Sequence, residues 1–345
     1  MVDIAEQPVL DFYIYPSVGP DDWEYAFAAA CARSLETQLL SHGTFLDMAN
    51  AENFEAALEL LSSTQYSLGS TSKSFADVEN TLLEQRSHVR KTFSDLVVDE
   101  KFAEPLKIRE DFANMRLALR RKLTEKPLGS DYSKDGSVPG DEFEAIFEEE
   151  NYAPLPIHIQ EAIEQAVLAY YQDKDIRQID HALDKSHFEF KLKRAEELKN
   201  TFILELFRMQ IDLTNIRTML RLKFTESQTR DVFISGGYVD SDKLKHGLDI
   251  GYEALAPLFF ATPYFDIVEA GAAYLNTNNS FLKLEQKCED HLMGFLKTTS
   301  QITAGIQPVI AYLLRAEYEI RTVRLILTAK KNALDTKLIL DRLGE

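Results

Sequence analysis

The sequence predicts an all-α protein, and three observations carry that prediction. Apolar residues recur at spacings of three and four along most of the chain, the pattern of helices with one buried stripe. Alternation of the kind that makes a half-buried strand is scarce, hinted at only in 11–15 and 232–234. Gly and Pro number only 14 and 11, and they fall between the periodic segments, as at Pro127, Gly129, Pro139, Gly140, Pro154, Pro156, Gly236, Gly237, Pro257 and Pro263.

Taken in order, the periodic segments are 26–40, 54–61, 78–96, 157–171, 192–224 and 308–330. A further helix is implied by the stripe Ile108, Phe112, Met115, Leu119 and Leu123. Residues 126–150 are the most polar stretch and are expected to hold a long loop, with the acidic runs 141–144 and 148–150 coating a solvated face. About two-thirds of the chain is expected to be helical, against a usual third.

Self-comparison divides the chain. Asp111-Phe-Ala-Asn114-Met-Arg116-Leu-Ala-Leu119-Arg120-Arg-Lys122 is nearly repeated 101 residues later as Asp212-Leu-Thr-Asn215-Ile-Arg217-Thr-Met-Leu220-Arg221-Leu-Lys223. A weaker third copy begins at Glu319 and keeps Arg324, Leu327 and Lys330, with Thr322 for the asparagine and Thr328 for the second arginine. Thr64-Gln-Tyr66 is echoed by Thr262-Pro-Tyr264, and Leu83-Glu84-Gln85 by Leu284-Glu285-Gln286. Echoes in one order indicate three copies of a helical unit of about 100 residues, too long for the common helical solenoid repeats. The expected limits are a lead at 1–22 and units at 23–124, 125–224 and 225–345.

On a helix advancing 100° per residue, Met209, Leu213, Ile216, Leu220 and Phe224 share one stripe, and the residues of the first copy do the same. Asp212, Asn215 and Lys223 lie on one flank of it; Arg217 and Arg221 lie on the other. The acids Asp111, Asp212 and Glu319 and the arginines are expected to bond neighbouring helices, with Glu84, Asp180 or Glu285 on the preceding helix as partners. Such pairs fix helix register more than they add stability.

Composition narrows the function. The 345 residues carry 38 Lys+Arg and 56 Asp+Glu, a formal charge of −18. That excludes a general nucleic-acid binder, whose affinity comes from surplus cations on phosphates, and simple docking on anionic lipid. Two cysteines, Cys31 and Cys288, make no disulfide framework and suit a reducing compartment. Residues 1–20 show no basic region of a signal peptide, and the longest uncharged run, between Lys297 and Arg315, is too polar to span a bilayer.

Catalytic signatures are missing. No phosphate-binding or dinucleotide glycine motif and no Gly-x-Ser-x-Gly elbow occurs. His181 and His187 with Asp180 and Asp184 lack zinc spacing, and 131–142 lacks calcium-loop spacing. Cys288 and His291 share a helix face without a third group, and Asp21-Asp22 has no second acidic motif to face. No catalytic residue, cofactor or metal is expected. Phe259, Phe260, Tyr264 and Phe265 are expected in the core.

The repeated helix, with Phe233-Ile-x-Gly236-Gly237 after it, resembles the C-subunit family of prokaryotic V/A-type rotary ATPases (ATP synthases), related to the d subunit of the eukaryotic vacuolar enzyme. Four other segments are similar to that family's: Ala32-Arg33-x-Leu-Glu-x-x-Leu-Leu40, Leu60-Leu61-x-x-Thr64-x-Tyr66, Ile179-Asp180-x-x-Leu183-Asp184, and Pro308 through Tyr312, Glu317 and Glu319 to Arg321 and Arg324. The first 20 residues and the acidic insert at 130–150 have no counterpart in the resemblance, and the eukaryotic Gln-Cys-Glu stretch is missing.

The resemblance implies three similar helical domains in a pseudo-threefold funnel. It implies a non-catalytic central-stalk subunit on the cytoplasmic face of the membrane. Its partners would be the shaft subunits D and F and the proteolipid ring of c-type subunits, with membrane contact only through protein. The alternative is an all-helical scaffold that kept the fold without the ATPase.

Overall fold

A computed structural model describes residues 15–67, 74–126, 132–227 and 229–345. Among these residues there are fifteen α-helices and no strands. They are α1 (Ala26–Glu36), α2 (His42–Asn50), α3 (Phe54–Glu59), α4 (Phe75–Leu96), α5 (Glu104–Leu123), α6 (Gly140–Glu149), α7 (Ile157–Asp173) and α8 (Arg177–Leu198). Then follow α9 (Thr201–Phe224), α10 (Ser241–Asp249), α11 (Leu255–Leu258), α12 (Phe265–Asn278), α13 (Leu282–Thr298), α14 (Ile306–Lys331) and α15 (Thr336–Leu343). The all-α expectation holds. The helices form two compact units, one within 99–248 and one within 15–98 with 249–345.

In the first unit α8 is the organising helix. It forms a hairpin with α7 and packs on α5 and α9. The hairpin turns at Lys174, which adopts a left-handed conformation (φ 54°), and α8 ends the same way at Lys199 (φ 52°). Each closes its helix by donating its own N–H to a last-turn carbonyl, Lys174 to Tyr170 and Lys199 to Glu196. The segment 192–224 is therefore two helices, not one: Lys199 breaks it, and the Asn200 side chain caps α9 by accepting the Ile203 N–H at 3.1 Å.

The polar stretch 126–150 also differs from expectation, because α6 lies inside it. Phe143 and Phe147 are fully buried and their rings stack at 6.1 Å, while Glu142, Glu148 and Glu149 face solvent. Burying each such aromatic contributes about 2–3 kcal/mol, enough to hold a short acidic helix on α5. The segment 232–234 is loop, not strand.

In the second unit α14 is the axis. α1, α2, α3, α4 and α13 all pack on it, and most of its residues are buried. α12 and α13 form a hairpin, and α15 joins α13 to α2. The end of the lead is held here. Asp21 accepts the N–H groups of Thr303 and Ala304 at 2.8 and 3.0 Å, and Gln307 donates to the carbonyls of Val18 and Pro20. Asp22 caps the next turn through Glu24 N–H. The two aspartates are thus end-fasteners of backbone.

The two Thr-x-Tyr turns share one geometry. Thr64 donates to the Leu61 carbonyl at 2.8 Å and accepts the Tyr66 N–H at 3.2 Å. Thr262 does the same with Phe259 (2.7 Å) and Tyr264 (3.3 Å). The leucines of the second echo differ in burial: Leu83 is 50% exposed and Leu284 is buried. Phe259 and Tyr264 are core residues as expected, but Phe260 is exposed and Phe265 half-buried. Phe224, placed on the core stripe, is also exposed. No helix among the described residues is long and apolar enough to cross a membrane. Most of the strand hint at 11–15 and the turn at 127–129 lie outside the described residues.

Candidate functional site

The repeated residues divide into two flanks, as their angular positions require, and each flank has its own partner. On α5, Asp111 is fully buried and accepts the N–H groups of Ser137 and Val138, both at 3.1 Å, and the Ser137 hydroxyl at 2.6 Å. Asn114 bonds Ser133 twice, donating to its carbonyl at 2.9 Å and accepting its N–H at 2.8 Å. Lys122 donates to the Phe147 carbonyl at the end of α6 at 2.7 Å. The acid-amide-lysine flank therefore folds the following chain back onto the helix.

α9 does the same. Asp212 accepts from Tyr238 N–H and Val239 N–H, both at 3.0 Å. Asn215 exchanges two bonds with Ile234 at 2.8 and 2.9 Å, and Lys223 reaches the carbonyls of Gly247 and Leu248 at the end of α10. A glycine is required in each loop. A Cβ on Gly136 would lie 2.2 Å from an Asp111 carboxylate oxygen, and one on Gly237 2.2 Å from that of Asp212. Gly237→Ala should lower unfolding free energy by about 2 kcal/mol, read by urea melts, because the loop must leave its buried carboxylate.

The arginine flank faces α8. Arg120 pairs with Asp180, and Arg116 pairs with Asp184 while its Nε lies 3.3 Å from Asp180 Oδ1, an ion-pair contact. Asp180 is a partner as expected, but on a later helix, not the preceding one. Burial pushes the Asp184 carboxyl above the usual carboxylate range against the pull of Arg116. Burial likewise raises Asp111, opposed by its Ser137 and Val138 donors.

The third copy is built differently. Glu319 is buried and accepts the Leu40 N–H, Gln65 Nε2 at 2.8 Å and the Tyr66 hydroxyl at 2.8 Å. Leu40 lies two residues before α2, as Val138 and Val239 lie two residues before α6 and α10. Burial raises the Glu319 carboxyl, the Tyr66 and Leu40 donors opposing. Arg324 pairs with Glu79 on α4 at 3.0 Å, and Arg90 of α4 with Glu317 of α14 at 2.7 Å. Glu79, not Glu84, is the acid that α4 presents to Arg324. Arg217, Arg221 and Glu285 are each engaged in contacts of their own.

The array is chemistry of attachment. His187 is half-buried with its ring 5.1 Å from that of Phe112, and desolvation holds it well below its ordinary range. His181 is depressed by burial beside Asp184 and Asp180. Among the described residues no three His, Cys, Asp or Glu side chains are grouped to hold a metal ion. Asp131 of the calcium-spacing segment lies outside the described residues, and Gly136 packs on Asp111. Cys288 is buried, and burial lowers His291 to about 4.

A family model for the ATP synthase (C/AC39) subunit matches residues 28–342. The chain belongs to that family. Among its curated relatives is the C subunit of the V-type sodium ATPase of Enterococcus hirae, 22% identical over 326 residues, covering 93% of this chain and 98% of the relative. The C subunit of the V-type ATP synthase of Thermus thermophilus is 24% identical over 317 residues, covering 89% and 94%. The C subunit of the A-type ATP synthase of Desulfurococcus sp. is 25% identical over 337 residues, covering 93% and 91%.

Several residues of this C/AC39 chain gave no signal in the sequence. Ser133 and Ser137 bond through both backbone and hydroxyl, Ser133 to Asn114 and Glu110 and Ser137 to Asp111, and lie in a polar stretch where a serine does not stand out. Lys191 on α8 is 6% exposed, its Nζ 2.6 Å from Gln210 Oε1 and 4.1 Å from the centre of the Phe207 ring. Burial lowers its ammonium to about 7, and Arg109 adds to the fall. An i, i+3, i+4 pattern that puts a lysine on the core face marks this position only in retrospect.

Proposed function

We propose that this chain is the non-catalytic central-stalk subunit of a rotary V/A-type ATPase. It couples the shaft, made of the D and F subunits, to the proteolipid ring on the cytoplasmic face of the membrane. The observation that carries this reading is the family match along 28–342, with relatives named as C subunits over nearly their whole lengths. Three related units, at 23–124, 125–224 and 225–345, would form a pseudo-threefold funnel. A spacer that transmits torque must be stiff, and helices fastened by buried carboxylates to backbone N–H groups supply stiffness without a catalytic group. The −18 charge suits basic partner surfaces.

The test is a pull-down of the shaft pair and of the detergent-solubilised ring at two salt concentrations. Binding to both is expected, weaker at the higher salt as exposed charges are screened. Binding to neither overturns the reading and favours a free-standing helical scaffold.

A further inference from the structure

Among the large apolar side chains exposed on the described residues, Trp23 with Phe27 and Leu334 with Leu338 stand as pairs four apart, and three lie on one line of a single helix. Ile157, Leu168 and Tyr171 are 73%, 57% and 55% exposed, and all belong to α7. With Glu161 and Glu164, also exposed, they occupy positions 157, 161, 164, 168 and 171. Steps of four, three, four and three keep these five within a band about 80° wide on a helix. That spacing is the heptad period by which one helix follows another. The opposite face of α7 is not loose: Ile159, Ala162, Ile163 and Ala166 are all buried in the core of the unit.

We infer that this face of α7 is a docking seam for a partner α-helix with aliphatic side chains at heptad spacing and a Lys or Arg pair at its centre. The apolar positions at the two ends would bury against the partner. The two glutamates, at core positions of the seam, select the sign of the partner's central residues and set its register at a cost in stability, as polar residues at such positions do. A second copy of this chain fits poorly, since it would place Glu161 and Glu164 against like charges. Beside the N-terminal end of the seam, α7 and α8 line an open groove of about 390 Å³ with Ile157, His158, Glu161, Phe190, Lys193 and Arg194, the Arg194 guanidinium lying 5.5 Å from the centre of the Phe190 ring. The His158 and Phe190 rings stack at 4.2 Å and form an aromatic wall, suited to an aliphatic side chain at the end of the partner helix. The inference does not depend on the shaft or the ring.

The test uses the full chain and two synthetic helical peptides of about 21 residues, the length of the seam with a turn to spare. Both carry leucines at the same heptad positions; one has a central lysine pair, the other a central glutamate pair. Fluorescence anisotropy should show the lysine peptide binding about tenfold tighter, the scale of two exposed charge pairs. Leu168→Ser should weaken it about tenfold through lost burial. The double variant Glu161→Lys with Glu164→Lys should reverse the preference. All three replaced residues are exposed, so unchanged melting temperatures are expected of the variants. Equal affinity for the two peptides, no binding of either, or binding indifferent to Leu168→Ser overturns the proposal. So does a concentration-dependent dimer, measured by sedimentation, that Leu168→Ser abolishes.

Discussion

Lys191→Met should stabilise the protein, by about 3 kcal/mol at pH 7. The lysine is buried among Phe188, Phe207 and Gln210, and its folded-state pKa stands at about 7 against an ordinary 10.5. Between those values the unfolded chain binds a proton that the folded chain does not, so unfolding gains free energy from protons in that window. The wild type should therefore gain stability as pH rises from about 7 toward about 9.5. In the methionine variant that slope should largely vanish, and its advantage should shrink with rising pH. Each tenfold loss of proton affinity on folding corresponds to about 1.4 kcal/mol, which sets the scale before the lost Gln210 bond is counted. Urea melts at the two ends of that pH window decide it. A destabilised variant, or parallel pH dependences, would show that the ammonium is charged and well served in the fold.

Asp212→Ala should cost about 3 kcal/mol. It strands the buried Val239 N–H and the Tyr238 N–H, and it releases a loop of the first unit. Asp111→Ala should behave alike for the same reason. Arg120→Ala makes the instructive contrast: Arg120 is 44% exposed at the side chain, so losing its pair with Asp180 should cost less than about 1 kcal/mol. Both residue types belong to the same repeated motif, yet one fastens the interior and the other a wet surface. Equal costs for the two, measured by chemical denaturation, would sink that division.

Much of this was legible in the residues. Angular position alone separated Asp, Asn and Lys from the two arginines, and the structure keeps that separation. Asp180 was visible as an arginine partner because acids facing a basic flank stand out. The partners of Asp111 and Asp212 were not, since apart from the Ser137 hydroxyl they are backbone amides and any residue but proline carries one. Helix α6 was hidden because its acidic face outnumbers Phe143, Ile146 and Phe147, and an average over the stretch conceals three core residues. The break at Lys199 was hidden too. A lysine in the left-handed region leaves no mark of the kind a glycine would, and periodicity ran on across it. Phe224 and Phe260 were misplaced because periodicity predicts a stripe and says nothing of where neighbouring helices stop covering it.

The bonds that reach Glu319 from Leu40, Gln65 and Tyr66 have a consequence for the order in which the protein is made. They span 279, 254 and 253 positions of sequence, whereas the matching bonds of Asp111 and Asp212 span 26 or 27. During synthesis the first two fasteners can close within seconds of leaving the ribosome. Leu40 and Tyr66 must wait, solvated, until nearly the whole chain has emerged. Contacts of that separation carry the largest loop-closure cost and form late. The second unit is thus a clasp whose two halves come from either side of 99–248 in the sequence, and the unit between them has time to finish before it shuts.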